Sequence, residues 1–294
     1  MQGWVLKIIL SRKGFDSSSG RGPSPILPDG TLLSFPIPQG RALNKFSDIK
    51  LPKHVIKLLK RRHENYYTLI KELLPKYNSG KNCHLDPDIY SEALQRKAGW
   101  RGVFGQSTAQ THLENQGVWQ GEGKTPDAGD IFLFFGYFRR TEADKGGKLH
   151  FIGPGLHVIY GYMEAGAVIN LKAQRDKVPA FASEHPHVKE PDNNRADNTV
   201  YIAREKLSWD KNVKGWGYFK YNEKLHLLTK PSLSRSKWQL PDCFNRNTPI
   251  SYHTKDSKKK GYFQSSNRGQ EFVIQPNDGI KSWAKKLIKE SVKG

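Results

Sequence analysis

The run IFLFFGYF at positions 131–138 contains no charged residue and is apolar at nearly every position. A half-exposed strand alternates apolar and polar side chains. A segment without that alternation is a central strand covered on both faces. The rest of the chain has to supply the strands beside it and the layers above and below.

Several segments can do this. WVLKIIL, from Trp4 to Leu10, is a short β-branched apolar run that a Gly-rich loop ends, as expected of a buried strand. GTLLSFPIP alternates but carries Pro36 and Pro38, which suits an edge. LHFIGPGLHVIYGYMEAGAVIN reads as two strands, TVYIAREKL as one, and WGYFKYNEKLHLLT holds two more strand signals. In KHVIKLLKRRHENYYTLIKELLPKY, the residues from Val55 to Leu74 fall at helical spacing, with Pro75 as the stop and a break near His63. DGIKSWAKKLIKES reads as a terminal helix with Trp283, Leu287 and Ile288 on one side and lysines on the other. From Val178 to Asn198 the chain is polar and Pro-rich, a long loop of the kind that carries function. The expected fold class is α+β: a mostly antiparallel, barrel-like sheet, one long helix after the first strands, and a C-terminal helix. There is no internal repeat and no linker, so a single domain spans 1–294, with a basic extension over about 275–294.

The 294 residues carry a formal net charge of +20, and such self-repulsion points to a polyanionic partner, DNA or a nucleotide. With 14 Phe, 12 Tyr and 7 Trp the chain is too rich in rings for a disordered one. Cys83 and Cys243 are the only cysteines, which fits a reducing compartment and excludes a disulfide scaffold or a four-Cys zinc site. No signal-peptide pattern and no membrane-length apolar run is present, so a cytoplasmic protein without membrane contact is expected.

Five constellations can carry chemistry. In LSRKGFDSSSGRG, Arg12 and Lys13 give fixed positive charge, Gly14 lets backbone amides approach an anion, and Ser11, Ser17 and Ser18 add donors. This loop suits a phosphate or sugar. Asp16 beside two cations stays ionised and is a candidate catalytic residue. The alternative is a capped Gly-rich turn. In HLDPD, His84 with the alternating carboxylates Asp86 and Asp88 could bind a divalent metal, but the aspartates read first as caps of a helix starting near Ile89, and His84 remains a general-base candidate. In GQSTAQTHLENQG, Gln106 can read a base edge, and His112 with Glu114 can move protons. EHPHV offers Glu184, His185 and His187, but no further ligand follows at a familiar interval, so no metal site is expected. In LTKPSLSRSKWQL, Lys230, Ser232, Ser234 and Arg235 suit phosphates and Trp238 can stack on a base; the alternative is a solvated basic loop with Trp238 in the core. The residues name no cofactor.

The segments LSRKGFDSSSGRGPSPILPDGTLLSFPIP, RGVFGQSTAQTHLENQGV, GDIFLFFGYFR and LTKPSLSRSKWQLPDCF together resemble the nucleotide modification associated domain 3 family, over roughly Val5 to Ile274. The resemblance implies association with DNA base hypermodification systems of phages and bacteria, including defence contexts and partner enzymes. It implies no particular reaction. Arg12, Lys13, Asp16 and Ser17 lie in its most distinctive part. The expected function is a DNA base or nucleotide modification enzyme that transfers a group to a base or removes one. The alternatives are a noncatalytic reader of modified DNA, and a nuclease or glycosylase acting on it.

Overall fold

The apolar run lies within a 13-residue strand, Ile131–Ala143, and Ile131 through Phe135 are fully buried. The computed structural model describes residues 6–40, 42, 44–77, 82–107, 129–189, 198–267 and 270–292. The largest sheet has eight strands, here β1 (Ile8–Arg12), β2 (Ser24–Ile26), β3 (Val103–Gln106), β4 (Ile131–Ala143), β5 (Leu149–Asn170), β6 (Thr199–Ala203), β7 (Trp216–Tyr218) and β8 (Glu271–Ile274). The order is β8–β1–β4–β5–β6–β3, with β2 also on β4 and β7 also on β5. Strand β4 is central, as its composition requires: it pairs with β1 from Ile8↔Ile131 to Arg12↔Phe135 and with β5 from Ile131↔Glu164 to Ala143↔Leu149.

The pairing is mostly antiparallel, but β1 and β2 both run parallel to β4. The barrel expectation is corrected. The path ends at β8 and β3, which do not pair with each other, so the sheet is open. The segment expected to make two strands is one 22-residue strand, β5. Its Gly-Pro-Gly falls at a register shift between Phe138 and Arg140 of the partner strand. A bulge of this kind tolerates a proline that cannot donate to the ladder.

The long helix expected after the first strands is two short ones, Lys53–Leu58 and Tyr66–Leu73. Lys60 and Arg61 between them adopt positive φ, and the Asn65 side chain accepts from Thr68 N to begin the second helix afresh. The terminal helix Asp278–Ser291 is capped by Asn277 and buries Ile280, Ala284, Leu287 and Ile288. Among the described residues no helix is long and apolar enough to cross a membrane.

Beside the main core, a smaller one gathers Val103, Ile169, Leu171, Val188, Val200 and Ile202. Val188 belongs to a one-turn helix, Pro186–Lys189. Its burial draws residues 186–189 of the expected loop down onto β3 and β6, and with them His185 and His187.

Candidate functional site

Two segments 100 residues apart in sequence meet at the edge of the smaller core. From HLDPD come His84, on a short strand Asn82–His84, and Asp86; from EHPHV come His185 and His187. All four are nearly fully buried. Asp86 sits among three imidazoles, and its two oxygens have different surroundings. Oδ1 accepts from Gly105 N at 2.8 Å and faces His185 Nε2 at 3.4 Å. Oδ2 faces His187 Nε2 at 3.8 Å and His84 Nε2 at 3.9 Å.

Hydrogen bonds fix two of the rings. Asn198 Nδ2 donates to the His187 carbonyl at 3.1 Å, which orients the amide and leaves its Oδ1 to accept from His187 Nδ1 at 2.8 Å. The proton of His187 is therefore on Nδ1, and the Nε2 lone pair points toward Asp86. His187 N donates to His185 Nδ1 at 3.4 Å, so His185 carries its proton on Nε2, toward Asp86 Oδ1. Burial pulls the His187 pKa down to about 3, with the Asp86 charge opposing it. Burial pushes the Asp86 carboxyl up, but the His185 Nε2 proton facing Oδ1 and the nearby Lys13 charge outweigh this and hold it well below the usual carboxylate range.

Gly105 makes this packing possible. A Cβ at that position would lie 2.3 Å from the His187 ring, so only glycine lets β3 bring its amide to Asp86 with the imidazole alongside.

The adjoining polar group centres on Lys13. Its Nζ donates to Gln106 Oε1 at 2.8 Å, lies 3.1 Å from Glu271 Oε1 and 3.4 Å from Gln270 Oε1, and stands 4.6 Å over the Phe104 ring. Ser11 Oγ donates to the same Glu271 oxygen at 2.9 Å, and Gln106 Nε2 donates to Gln270 Oε1 at 3.2 Å. Lys13 follows directly on β1, beside its parallel partner β4, so the end of the parallel pair delivers this charge. Gly14 has φ +86°, and a Cβ there would meet Ser34 Oγ at 2.4 Å.

The other residues singled out in the sequence are arranged differently. Asp16 Oδ1 accepts from Ser18 N at 2.7 Å, Ser18 Oγ at 2.8 Å and Ser19 N at 2.5 Å, which turns the opening loop on itself. Arg12 donates to the carbonyls of Ser266 at 2.5 Å and Asn267 at 3.4 Å. Ser17 Oγ accepts from Arg235 at 2.7 Å, and the Arg235 guanidinium lies 4.2 Å from the Tyr137 ring centre. Thus the first and fifth constellations adjoin, with Ser232 and Ser234 exposed beside them. Lys230 Nζ donates to the Gly261 carbonyl at 2.5 Å. The base-stacking expectation for Trp238 is corrected: the ring is 1 % exposed, packs against Phe135 and Phe272, and donates from Nε1 to His157 Nδ1 at 3.0 Å. The helix-cap expectation for Asp86 and Asp88 is also corrected. No helix begins at Ile89; Asp86 takes the Gly105 amide, and Asp88 binds Arg96 through both oxygens at 2.5 and 2.6 Å. His112 and Glu114 lie outside the described residues.

A groove of about 550 Å³ lies between the segments 238–250 and 253–263. Arg246, Lys255, Lys258 and Lys259 line it with Tyr262, against a single carboxylate, Asp242.

Read apart, HLDPD looks like capping aspartates and EHPHV lacks a further ligand at a familiar interval. The available signal was complementarity: each motif holds what the other lacks. Gly105 also stands beside Gln106 in a segment already singled out.

No curated protein and no solved structure matches the chain. A family model described as nucleotide modification associated domain 3 matches residues 7–275, most of the 294-residue chain. The chain belongs to the nucleotide modification associated domain 3 family.

Proposed function

We propose that the protein is an enzyme of DNA base or nucleotide modification, transferring a group to a base or removing one beside Asp86, His84 and His187. The observation that carries this is the buried Asp86 with three imidazoles 3.4–3.9 Å away. Ionisable groups gathered out of water, with their protonation set by one another, are a recurring feature of reaction centres. Asp86, held ionised, orients His185 and stabilises positive charge. His187, neutral with its lone pair directed inward, is a ligand or acceptor. Lys13 and Gln106, bound to each other and to Glu271 and Gln270, form the polar flank of this centre. The basic groove and the net charge of +20 support contact with a nucleic-acid backbone.

The test is to incubate wild-type protein, Asp86→Asn and Asp16→Ala with DNA and with nucleoside mono- and triphosphates, then to examine digested nucleosides by mass spectrometry. A mass change made by the wild type and by Asp16→Ala, and lost in Asp86→Asn, is expected. Binding to DNA without any mass change under all conditions would leave the noncatalytic reader as the better account.

A further inference from the structure

We propose that His84, Asp86 and His187 form a binding site for one divalent first-row cation, of the zinc or ferrous class. The site is the one read above as the reaction centre, but the inference stands on geometry that needs no substrate.

The three ligand atoms lie within 4.8 Å of one another. A cation between them would draw the three atoms in to the ~2.0–2.2 Å that nitrogen and carboxylate ligands keep from zinc. The protons are placed to suit a cation. Asn198 holds the His187 proton on Nδ1, so two acceptors, His187 Nε2 and Asp86 Oδ2, face each other at 3.8 Å. Lone pairs turned toward each other in a buried site repel unless a proton or cation lies between them. Asp86 divides its oxygens accordingly. Oδ1 has the Gly105 amide and the His185 Nε2 proton, whereas Oδ2 faces only imidazole nitrogens among these neighbours.

This is the surrounding shell of a metal ligand, in which the histidine's other nitrogen donates to a carbonyl and the carboxylate's other oxygen is hydrogen-bonded. His185 is a positioning residue and not a ligand, because its Nε2 carries the proton. Two nitrogen donors to one oxygen disfavour magnesium and calcium, which take oxygen ligands, and suit zinc or ferrous iron. Three protein ligands leave coordination positions open, as catalytic sites do.

The experiment uses full-length protein without a polyhistidine tag. Metal content is measured by mass spectrometry as purified. Chelator-treated protein is then titrated calorimetrically with Zn²⁺ and, anaerobically, with Fe²⁺; the two arms distinguish the cations. About one equivalent of metal is expected. His84→Gln and His187→Gln should each weaken binding by about a hundredfold or more, and Asn198→Ala by ~10–100-fold. His185→Gln, which keeps a donor toward Asp86, should stay within a few-fold of wild type. Circular dichroism checks that each variant folds. If the ligand variants do not, the Co²⁺ absorption spectrum of the wild type decides, with ligand-field bands expected. Folded wild-type protein that neither carries nor takes up metal, or gives no Co²⁺ bands, overturns the site, as does wild-type affinity in both ligand variants. Metal binding without nucleotide modification would remove the enzymatic reading and leave the site. Modification by wild-type protein that takes up no metal would remove the site and leave the reading.

Discussion

Residues 12–19 bring Arg12, Lys13, Asp16 and three serines into eight positions, whereas the Asp86 cluster is assembled from segments a hundred residues apart. The crowded loop is largely occupied with itself. Asp16 binds its own serines, Arg12 holds the 266–267 backbone, and Ser17 takes Arg235. Lys13 alone among the charged groups of this stretch turns inward, to Glu271 and Gln106. In the sparse cluster, acceptors converge on a small buried space. A polar side chain whose partners are local serves to fold the loop. One whose lone pair is fixed toward other acceptors is arranged for something that arrives.

The comparison breaks most sharply at Glu271. Glu271→Ala leaves the Lys13 ammonium buried without its carboxylate and should cost about 3–5 kcal/mol, read as a lowered urea midpoint. A loss under about 1 kcal/mol would mean that Lys13 escapes to water and the network is not fixed. Gly105→Ala comes next. Its Cβ must displace the His187 ring, which should cost about 1–3 kcal/mol and reduce metal binding at least tenfold, checked by unfolding and calorimetry on one preparation. Unchanged metal affinity would show that His187 does not need its present place.

The third prediction concerns pH. Burial is the largest cause that lowers His157 to about 3, with Arg12 and Arg235 adding to it. The folded state therefore refuses a proton that the unfolded state accepts below about 6.5. Stability should fall as pH drops from 6.5 toward 3, by about 1.4 kcal/mol per pH unit for this group. Denaturant titrations at pH 7 and pH 5 measure it. His157→Gln should flatten the slope, and an unaltered slope would assign the acid sensitivity to His187, lowered to about 3, and to His226 and His253, each lowered to about 4, all chiefly by burial. The smallest effect is expected for Asp16→Ala. Losing its turn should cost about 1 kcal/mol, as for a lost helix cap, and leave nucleoside products unchanged by mass spectrometry. If the products vanish while the fold remains, the opening loop, not the Asp86 cluster, is the reaction centre.

Much of the fold was legible because it rests on local pattern. The apolar residues 131–138 read as a covered central strand and lie in one, and Trp283, Leu287 and Ile288 of DGIKSWAKKLIKES lie in the helix Asp278–Ser291. Where local pattern was ambiguous, neighbours decided. Gly153-Pro154-Gly155 would end an isolated strand, but a bulge opposite β4 carries β5 through it. Lys60 and Arg61 sit in an apparently continuous helical pattern, yet their positive φ breaks it before Asn65. Trp238, among serines and cations, reads as either a stacking platform or a core ring; Phe135 and Phe272 claim it for the core.

The sequence by itself determined the mixed, strand-rich class, the excess of positive charge and the family, because composition, periodicity and motif order are properties of the chain alone. Only the tertiary structure decided which polar residues form a site. Whether Asp86 caps a helix or receives three imidazoles depends on where Val188 finds its core and on the absence of a side chain at Gly105. Both are long-range packing events, and packing between distant segments leaves no periodic mark in either one.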